Sequence, residues 1–306
     1  MIGFLTYRIA LTVPLLLGAA LLIFLAGHYA PGDPAQVLLG DHYTPAAAAH
    51  MRHELGLDRP LAVQFVAYVV HAAAFDFGVS YVNPARHVRD IVRQTLPTSV
   101  RLAALAVLLA TLLGVTLGAS AAVFPRSPAD RLIQIGVIAG LSVPSFVTAA
   151  LLVLLFALRW RLLPVAGWGT PQAYVLPVIV LAVAPLAYIT RISRASVRQV
   201  MTEDYVRTAR SKGLRTRAVL LRHVLRNAAL PIVTTVGMAF GYAITGAFVV
   251  EVVFNIPGMA RVAVDAILQR DYAVIQTAVL VYTTLFVAIN LAVDLSYAVL
   301  NPRVRF

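Results

Sequence analysis

Thr98-Ser99-Val100-Arg101-Leu102-Ala103-Ala104-Leu105-Ala106-Val107-Leu108-Leu109-Ala110-Thr111-Leu112-Leu113-Gly114-Val115 opens an apolar run that continues to Val123. A helix that crosses a bilayer needs about 20 such residues in succession, and this run is long enough. Five more runs have the same character, at 9–27, 133–157, 174–190, 232–250 and 277–300. The run at 174–190 is short and carries Pro177 and Pro185. Spans tolerate proline where neighbouring helices satisfy the freed backbone groups. The reading is an all-α, polytopic membrane protein with six transmembrane helices. Composition points the same way. Of 306 residues, 60% are hydrophobic and only 12% charged, whereas an ordinary soluble domain is about 45–50% apolar. A soluble enzyme, a disordered chain and a disulfide-stapled domain all fit poorly. The chain has no cysteine, which excludes disulfides, thiolate metal sites and a cysteine nucleophile.

The net charge is +12, and Lys212 is the only lysine among 25 basic residues. In a membrane chain such a balance marks cytoplasmic loops. Arg8 precedes the first run, and Gly27-His28-Tyr29-Ala30 lacks the small-residue pattern of a cleavage site, so that run reads as a retained helix starting in the cytoplasm. Six spans then put Arg8, Arg126, Arg131, the basic residues from Arg191 to Arg226, Arg303 and Arg305 inside. Arg52, Arg59, Arg86, Arg89, Arg93, Arg159, Arg161, Arg261 and Arg270 fall outside. The inside loops are about threefold denser in basic residues, as the positive-inside rule asks. The segment 61–79 is apolar but interrupted by Gln64, His71 and Asp76, and reads as an amphipathic helix at the membrane surface. A seven-span arrangement with the N-terminus outside distributes the arginines about equally well; the three interruptions and Arg8 speak against it.

Residues 30–97 are too many for a connecting turn and form an extracytoplasmic insert after the first helix. Thr44-Pro45 reads as an N-cap with proline at the first helical position, and Gly56 as the stop. Arg86, Arg89 and Arg93 share one face of a later short helix by their spacing. They offer a surface either to an extracytoplasmic partner or to lipid headgroups.

The segment 191–227 is the least membrane-like part of the chain. Thr202 can cap a first helix, with Glu203 and Asp204 in its first turn, where the dipole favours negative charge. Lys212 ends it and Gly213 stops it. Thr216 can cap a second helix over 217–229, after which Pro231 opens the fifth span. Ala209 and Gly213, four residues apart, give a small-residue spot where another protein could approach closely. The plain alternative is a solvated basic loop that only fixes topology.

Asp204-Tyr205-Val206-Arg207-Thr208-Ala209-Arg210-Ser211-Lys212-Gly213-Leu214, followed by Leu221 to Pro231, resembles the cytoplasmic EAA loop of bacterial ABC importer permeases, and more narrowly the first (B-type) permease subunit of the dipeptide/oligopeptide (nickel) transport family. The likeness covers nearly the whole chain. Pro31-Gly32-Asp33-Pro34, Asp76-Phe77-Gly78-Val79-Ser80-Tyr81, Ser142-Val143-Pro144-Ser145-Phe146, Leu162 to Gly167, Glu251 to Met259 and Asn301-Pro302-Arg303-Val304-Arg305 all fit in order. Phe75 and Phe77 depart from the external motif, and the opening Glu-Ala-Ala of the loop is altered while Ala209 and Gly213 are kept.

The resemblance implies a type I importer permease fold in the bacterial cytoplasmic (inner) membrane, with both termini cytoplasmic. Residues 1–93 would be the first helix and insert, and 94–301 the permease core, with the coupling loop at about 200–231. The chain would form half of a channel for di- or oligopeptides. It would work with a second homologous permease, two ATP-binding subunits and an extracytoplasmic binding protein. ATP and Mg would bind to the partner subunits, not to this chain. Asp204, Tyr205, Arg207, Thr208, Ala209, Lys212 and Gly213 would form the helix that seats in the ATPase. Peptides, glutathione-like compounds and nickel complexes all use such permeases.

Polar residues inside spans are functional candidates. Ser142, Ser145, Tyr242, Glu251, Asn290 and Asp294 are the candidates for channel or gate. Asp294 also reads as a water-reached carboxylate near the cytoplasmic end, and Glu251 as either a gate residue or a water-facing one. No P-loop frame surrounds Lys212, so the chain alone cannot cradle ATP and is not expected to be an enzyme. His50 and His53 read as a solvated pair rather than a metal site. A secondary transporter would need inverted repeats and a coupling acid at the midplane, and no convincing repeat is present. The arginine cluster lacks the aromatic platform of a nucleic-acid surface.

Overall fold

The computed structural model describes residues 2–30 and 33–300. Pro31, Gly32 and the stretch Asn301 to Arg305, which carry part of the family likeness and two of the topology arginines, lie outside the described residues. In chain order the helices are α1 (Ile2–His28), α2 (Pro34–Leu39), α3 (Pro45–Glu54), α4 (Leu61–Ala73), α5 (Val88–Val123), α6 (Pro128–Ser142), α7 (Ser145–Leu152), α8 (Pro171–Val200), α9 (Asp204–Ser211), α10 (Thr216–Val219), α11 (Leu225–Val253), α12 (Met259–Gln269) and α13 (Tyr272–Leu300). Among the described residues five stretches are long and apolar enough to cross a membrane: Arg8–His28, Val88–Val123, Pro171–Val200, Thr216–Val253 and Tyr272–Ser296. The remaining expected span, 133–157, is not one straight helix. It is α6 followed by α7 and a wide-turn continuation to Arg159, bent by 107° at the junction.

The helices gather in two compact units. One comprises Val100–Ile256 and the chain from Ala288 on. Here α5 meets α8 at Gly114 and Gly118. A Cβ on Gly118 would stand 2.5 Å from the carbonyl oxygen of Thr190 and 2.7 Å from Ser193 Cβ. Small residues at this spacing let two backbones approach closely where no hydrophobic drive exists between lipid-bathed helices. Where the C-terminal parts of α5 and α8 meet the start of α11, Ala119, Ala122, Val197, Val224, Ala228 and Ile232 form a buried apolar cluster.

The other unit comprises Ile2–Ser99 and Pro257–Val287. Within it α4 packs on the end of α1, with Phe24 5.7 Å from Phe65 and 5.8 Å from Tyr68 between ring centres. At 13 residues, α4 is about 20 Å long against a hydrocarbon core of about 30 Å. It ends at Ala73 rather than at 79, because Phe75 takes a left-handed backbone (φ 56°). Thr44 caps α3, its hydroxyl accepting from Ala47 N–H at 3.2 Å, with Pro45 in the first position. Gly56 stops that helix, and Leu57 N–H returns to the Arg52 carbonyl at 2.9 Å.

Two boundaries differ from the sequence reading. Arg89 and Arg93 do not belong to a separate short helix. They lie on the first turns of α5, which starts at Val88 and runs 36 residues, and Arg86 precedes it. The fourth span does not end at 190, since α8 continues to Val200.

Candidate functional site

Only residues 201–215 separate α8 from the next long helix, and α9 occupies their centre. Its entry is not capped by Thr202. The Thr202 hydroxyl donates to the Gln199 carbonyl at 2.7 Å and so finishes α8. Glu203 takes the N-cap position without a side-chain cap bond. Asp204 stands in the first turn and pairs loosely with Arg207 at 3.6 Å. The exit is better defined. Gly213, at φ 78°, donates to the Arg210 carbonyl at 2.9 Å, and Leu214 N–H reaches the Ala209 carbonyl at 3.4 Å. This is the paired closure that a left-handed glycine permits. The second helix starts one residue earlier than expected, with Arg215 as its N-cap. It runs through a wide turn at Leu220–Val224 into α11, so Pro231 lies inside a continuous helix and opens nothing.

An isolated helix of α9's length is not stable in water, so packing must hold it. Val206 and Ala209, three residues apart, turn inward and join the buried cluster at the ends of α5, α8 and α11. This corrects the expectation for Ala209. Its small side chain lets α9 approach the chain's own core, where it is buried. Asp204, Tyr205, Arg207, Thr208, Lys212 and Gly213 remain exposed. Tyr205 is 43% exposed. Partial burial first, and then the neighbouring Glu203 carboxylate, hold its phenol above the ordinary value.

The second feature is the α6–α7 junction. Pro144 has no N–H and pushes the residue before it out of helical space, and Val143 is accordingly extended (φ −90°, ψ 119°). The chain restarts at Ser145. The junction lines a cavity of about 170 Å³ with Ser142, Ser145, Thr148 and, from α11, Tyr242. Three of the candidate channel residues, Ser142, Ser145 and Tyr242, are thus brought together. The first turn of α7 has no side-chain cap; Val147 and Thr148 N–H both return to the Pro144 carbonyl, at 3.0 and 3.1 Å. Discontinuous helices of this kind build substrate paths in transporters.

Glu251, Asn290 and Asp294 do not line this cavity. Glu251 is fully buried, which removes the water-facing alternative. Its carbonyl accepts from Ile256 N–H at 2.9 Å, and Phe254 accepts from Gly167 N–H at 2.9 Å. The loop at 162–167 is therefore fastened to the end of α11. Asn290 and Asp294 are half-buried on α13. His50 lies 3.6 Å from Glu54, and His53 is 2.6 Å from Asp58.

Two structural anchors escaped the sequence reading. Arg194 of α8 donates through Nε and Nη2 to the two Asp130 oxygens, both at 2.8 Å. Asp130 also accepts from Arg126 N–H at 2.9 Å, while the Ser127 hydroxyl accepts from Asp130 N–H at 3.1 Å. The signal was present, since Ser127-x-x-Asp130 before an apolar run is a capping-box pattern. In the other unit, Asp271 precedes α13 and accepts from the Ser80 hydroxyl and from Tyr81 N–H at 3.1 Å. It thereby pins the 76–81 motif.

Residues 114–306 match the family described as binding-protein-dependent transport system inner membrane component, and residues 1–103 match the N-terminal region of such membrane components. The chain belongs to this family. It is similar to the glutathione transport system permease protein GsiC of Salmonella typhimurium, 40% identical over the full length of both chains. It is also similar to the GsiC protein of Escherichia coli K12, at 38% over the same extent. A crystal structure of an amino acid ABC transporter with histidines shares the fold with TM-score 0.54 and 19% identity, over 68% of this chain and 92% of that one. This member of the family is a multi-pass membrane permease subunit of an ATP-driven importer. Membership implies a complex with ATPase and binding-protein partners.

Proposed function

We propose that the chain forms half of a channel for short peptides and that α9 is the element on which an ATPase subunit seats. The observation that carries this is the two-faced build of α9. Its inner face is locked to the ends of α5, α8 and α11, and its outer face is polar and exposed. A push on the outer face therefore moves three long helices together. The break cavity at Ser142, Ser145 and Tyr242 lies in the same unit and is where such a movement would open or close a path.

In this reading the core, 94–301, pairs with a second homologous permease. Two ATP-binding subunits hold ATP and Mg and carry out hydrolysis, and an extracytoplasmic protein delivers substrate. Both termini face the cytoplasm of a bacterial cell. The names of the relatives favour glutathione, itself a tripeptide, within the peptide class.

The test is ATP-dependent uptake by the assembled complex in proteoliposomes. Labelled dipeptide, glutathione and a nickel chelate are offered separately. Uptake of either peptide above the nickel chelate is expected; uptake of the chelate alone would refute the substrate class. Orientation is read on the same cysteine-free chain with Ala49→Cys and Ser211→Cys, both at exposed positions. An impermeant thiol reagent should label the first from outside and not the second.

A further inference from the structure

The unit built from Ile2–Ser99 and Pro257–Val287 holds a cavity of about 570 Å³. Its size falls in the range of about 300–1,000 Å³ typical of small-ligand sites. One wall is the end of α1 with α4, another is the α3–α4 connection, and a third is the start of α13.

The charges on its wall are not equally available. Arg52 is bound to Asp33, whose other oxygen takes the amide of Ala35 at 3.1 Å. That pair holds α2 and α3 together and is internally satisfied. Arg59 is different. Its guanidinium rests against Gly56, with Nε 3.5 Å from where a Cβ would stand, and among the described residues it forms no ion pair. Among the described residues Glu54 pairs only with the exposed His50, at 3.6 Å. So the wall carries one cation and one anion that are exposed and weakly engaged. Aromatic groups line the same cavity. Tyr68 and Tyr272 line the space, and the Tyr68 hydroxyl is buried without a hydrogen-bond partner among the described residues. The Tyr68 ring thus offers the space its apolar face rather than its hydroxyl.

We propose that this cavity is a ligand site on the insert side of the permease for a zwitterionic short peptide. The peptide carboxylate would pair with Arg59 and its ammonium with Glu54, and its body would lie against Tyr68 and Tyr272. The proposal rests on the peptide reading above. It places a recognition step in the permease itself. An arginine fork suits a carboxylate, and aromatic walls give apolar area that tolerates many side chains.

The experiment uses the assembled permease–ATPase complex in phosphatidylcholine nanodiscs without the binding protein. Equilibrium dialysis measures binding of labelled glutathione and of a dipeptide, free or N-acetylated. Losing one charge-assisted pair should weaken binding about tenfold. Arg59→Gln should therefore weaken every probe. Glu54→Gln should weaken the free dipeptide and leave the acetylated one unchanged. Equal binding by wild type and Arg59→Gln would overturn the proposal. So would displacement of the peptide by phosphatidylglycerol in the nanodisc, which would make the site one for a lipid headgroup. The substrate reading is separated by uptake with the binding protein present. Uptake by Arg59→Gln at an unchanged KM removes the site and leaves the permease reading standing, whereas failure of the wild type to take up peptide removes that reading.

Discussion

The permease unit interrupts its long helices twice, and the two interruptions are built in opposite ways. Between α8 and the helix that becomes α11, the interruption is closed. Val206 and Ala209 are buried in the chain's own cluster, and Gly213 satisfies the last carbonyls of α9. Between α6 and α7 it is open. Pro144 and Val143 leave the helix unfinished beside a cavity of about 170 Å³. On the proposed reading, a closed interruption would transmit displacement, because its buried contacts tie α9 to three helices. On the same reading, an open one would put the Ser142, Ser145 and Tyr242 side chains beside the path of a solute. The comparison also shows what proline alone does not decide. Pro177 and Pro185 are buried within the continuous α8, where neighbours steady the helix. Pro144 is exposed and the helix stops.

The sharpest way to break the closed interruption is Val206→Asp. It puts a carboxylate into a fully buried apolar position at a cost of at least about 3 kcal/mol. The ATPase subunits should no longer co-purify, while the membrane-inserted chain persists on a gel.

The open interruption is tested by comparing two prolines. Alanine is a far better helix former than proline, by about 3 kcal/mol in a helix interior. Pro144→Ala should therefore pull the junction toward a continuous helix and lower uptake about tenfold, a barrier change of about 1.4 kcal/mol. Pro177→Ala should transport at close to the wild-type rate. Equal uptake by the two variants would mean that the break is not part of the path. A smaller effect is expected from Tyr242→Phe, which removes one hydroxyl from the cavity wall. One neutral hydrogen bond is worth about 1 kcal/mol, so KM should rise about fivefold or less with kcat unchanged.

The contrast also explains what could be read from the sequence. The existence of the spans follows from apolar run length, which the bilayer dictates. Helix ends do not, and α8 therefore runs ten residues past 190 to Val200. Gly213 was legible because only glycine takes its left-handed backbone without strain. Thr202 was misread because a threonine hydroxyl can begin one helix or finish another, and here it bonds back to Gln199. A small residue serves equally a contact surface or a tight core, and Ala209 proved to be core. An Ala209→Arg variant would thus disturb the chain's own packing before it tested any partner. The bend at Val143–Pro144 was hidden because the apolar run continues through it and because the prolines of α8 and α11 give the same signal without breaking their helices. Asp130 and Arg194 are 64 positions apart, and no local pattern announces their pairing.

The seating of an ATPase subunit on the outer face of α9 is tested most directly by the reactivity of one engineered thiol. Thr208 is exposed on that face, and the chain has no cysteine of its own. With Thr208→Cys as the only thiol in the complex, its alkylation rate is measured with and without the ATPase subunits, and Ala49→Cys in the insert serves as the reference. Burying the thiol in an interface should slow alkylation of Thr208→Cys by at least about tenfold, the population shift produced by about 1.4 kcal/mol, with the reference rate unchanged. Equal rates at Thr208→Cys in an intact, ATP-hydrolysing complex would contradict the account.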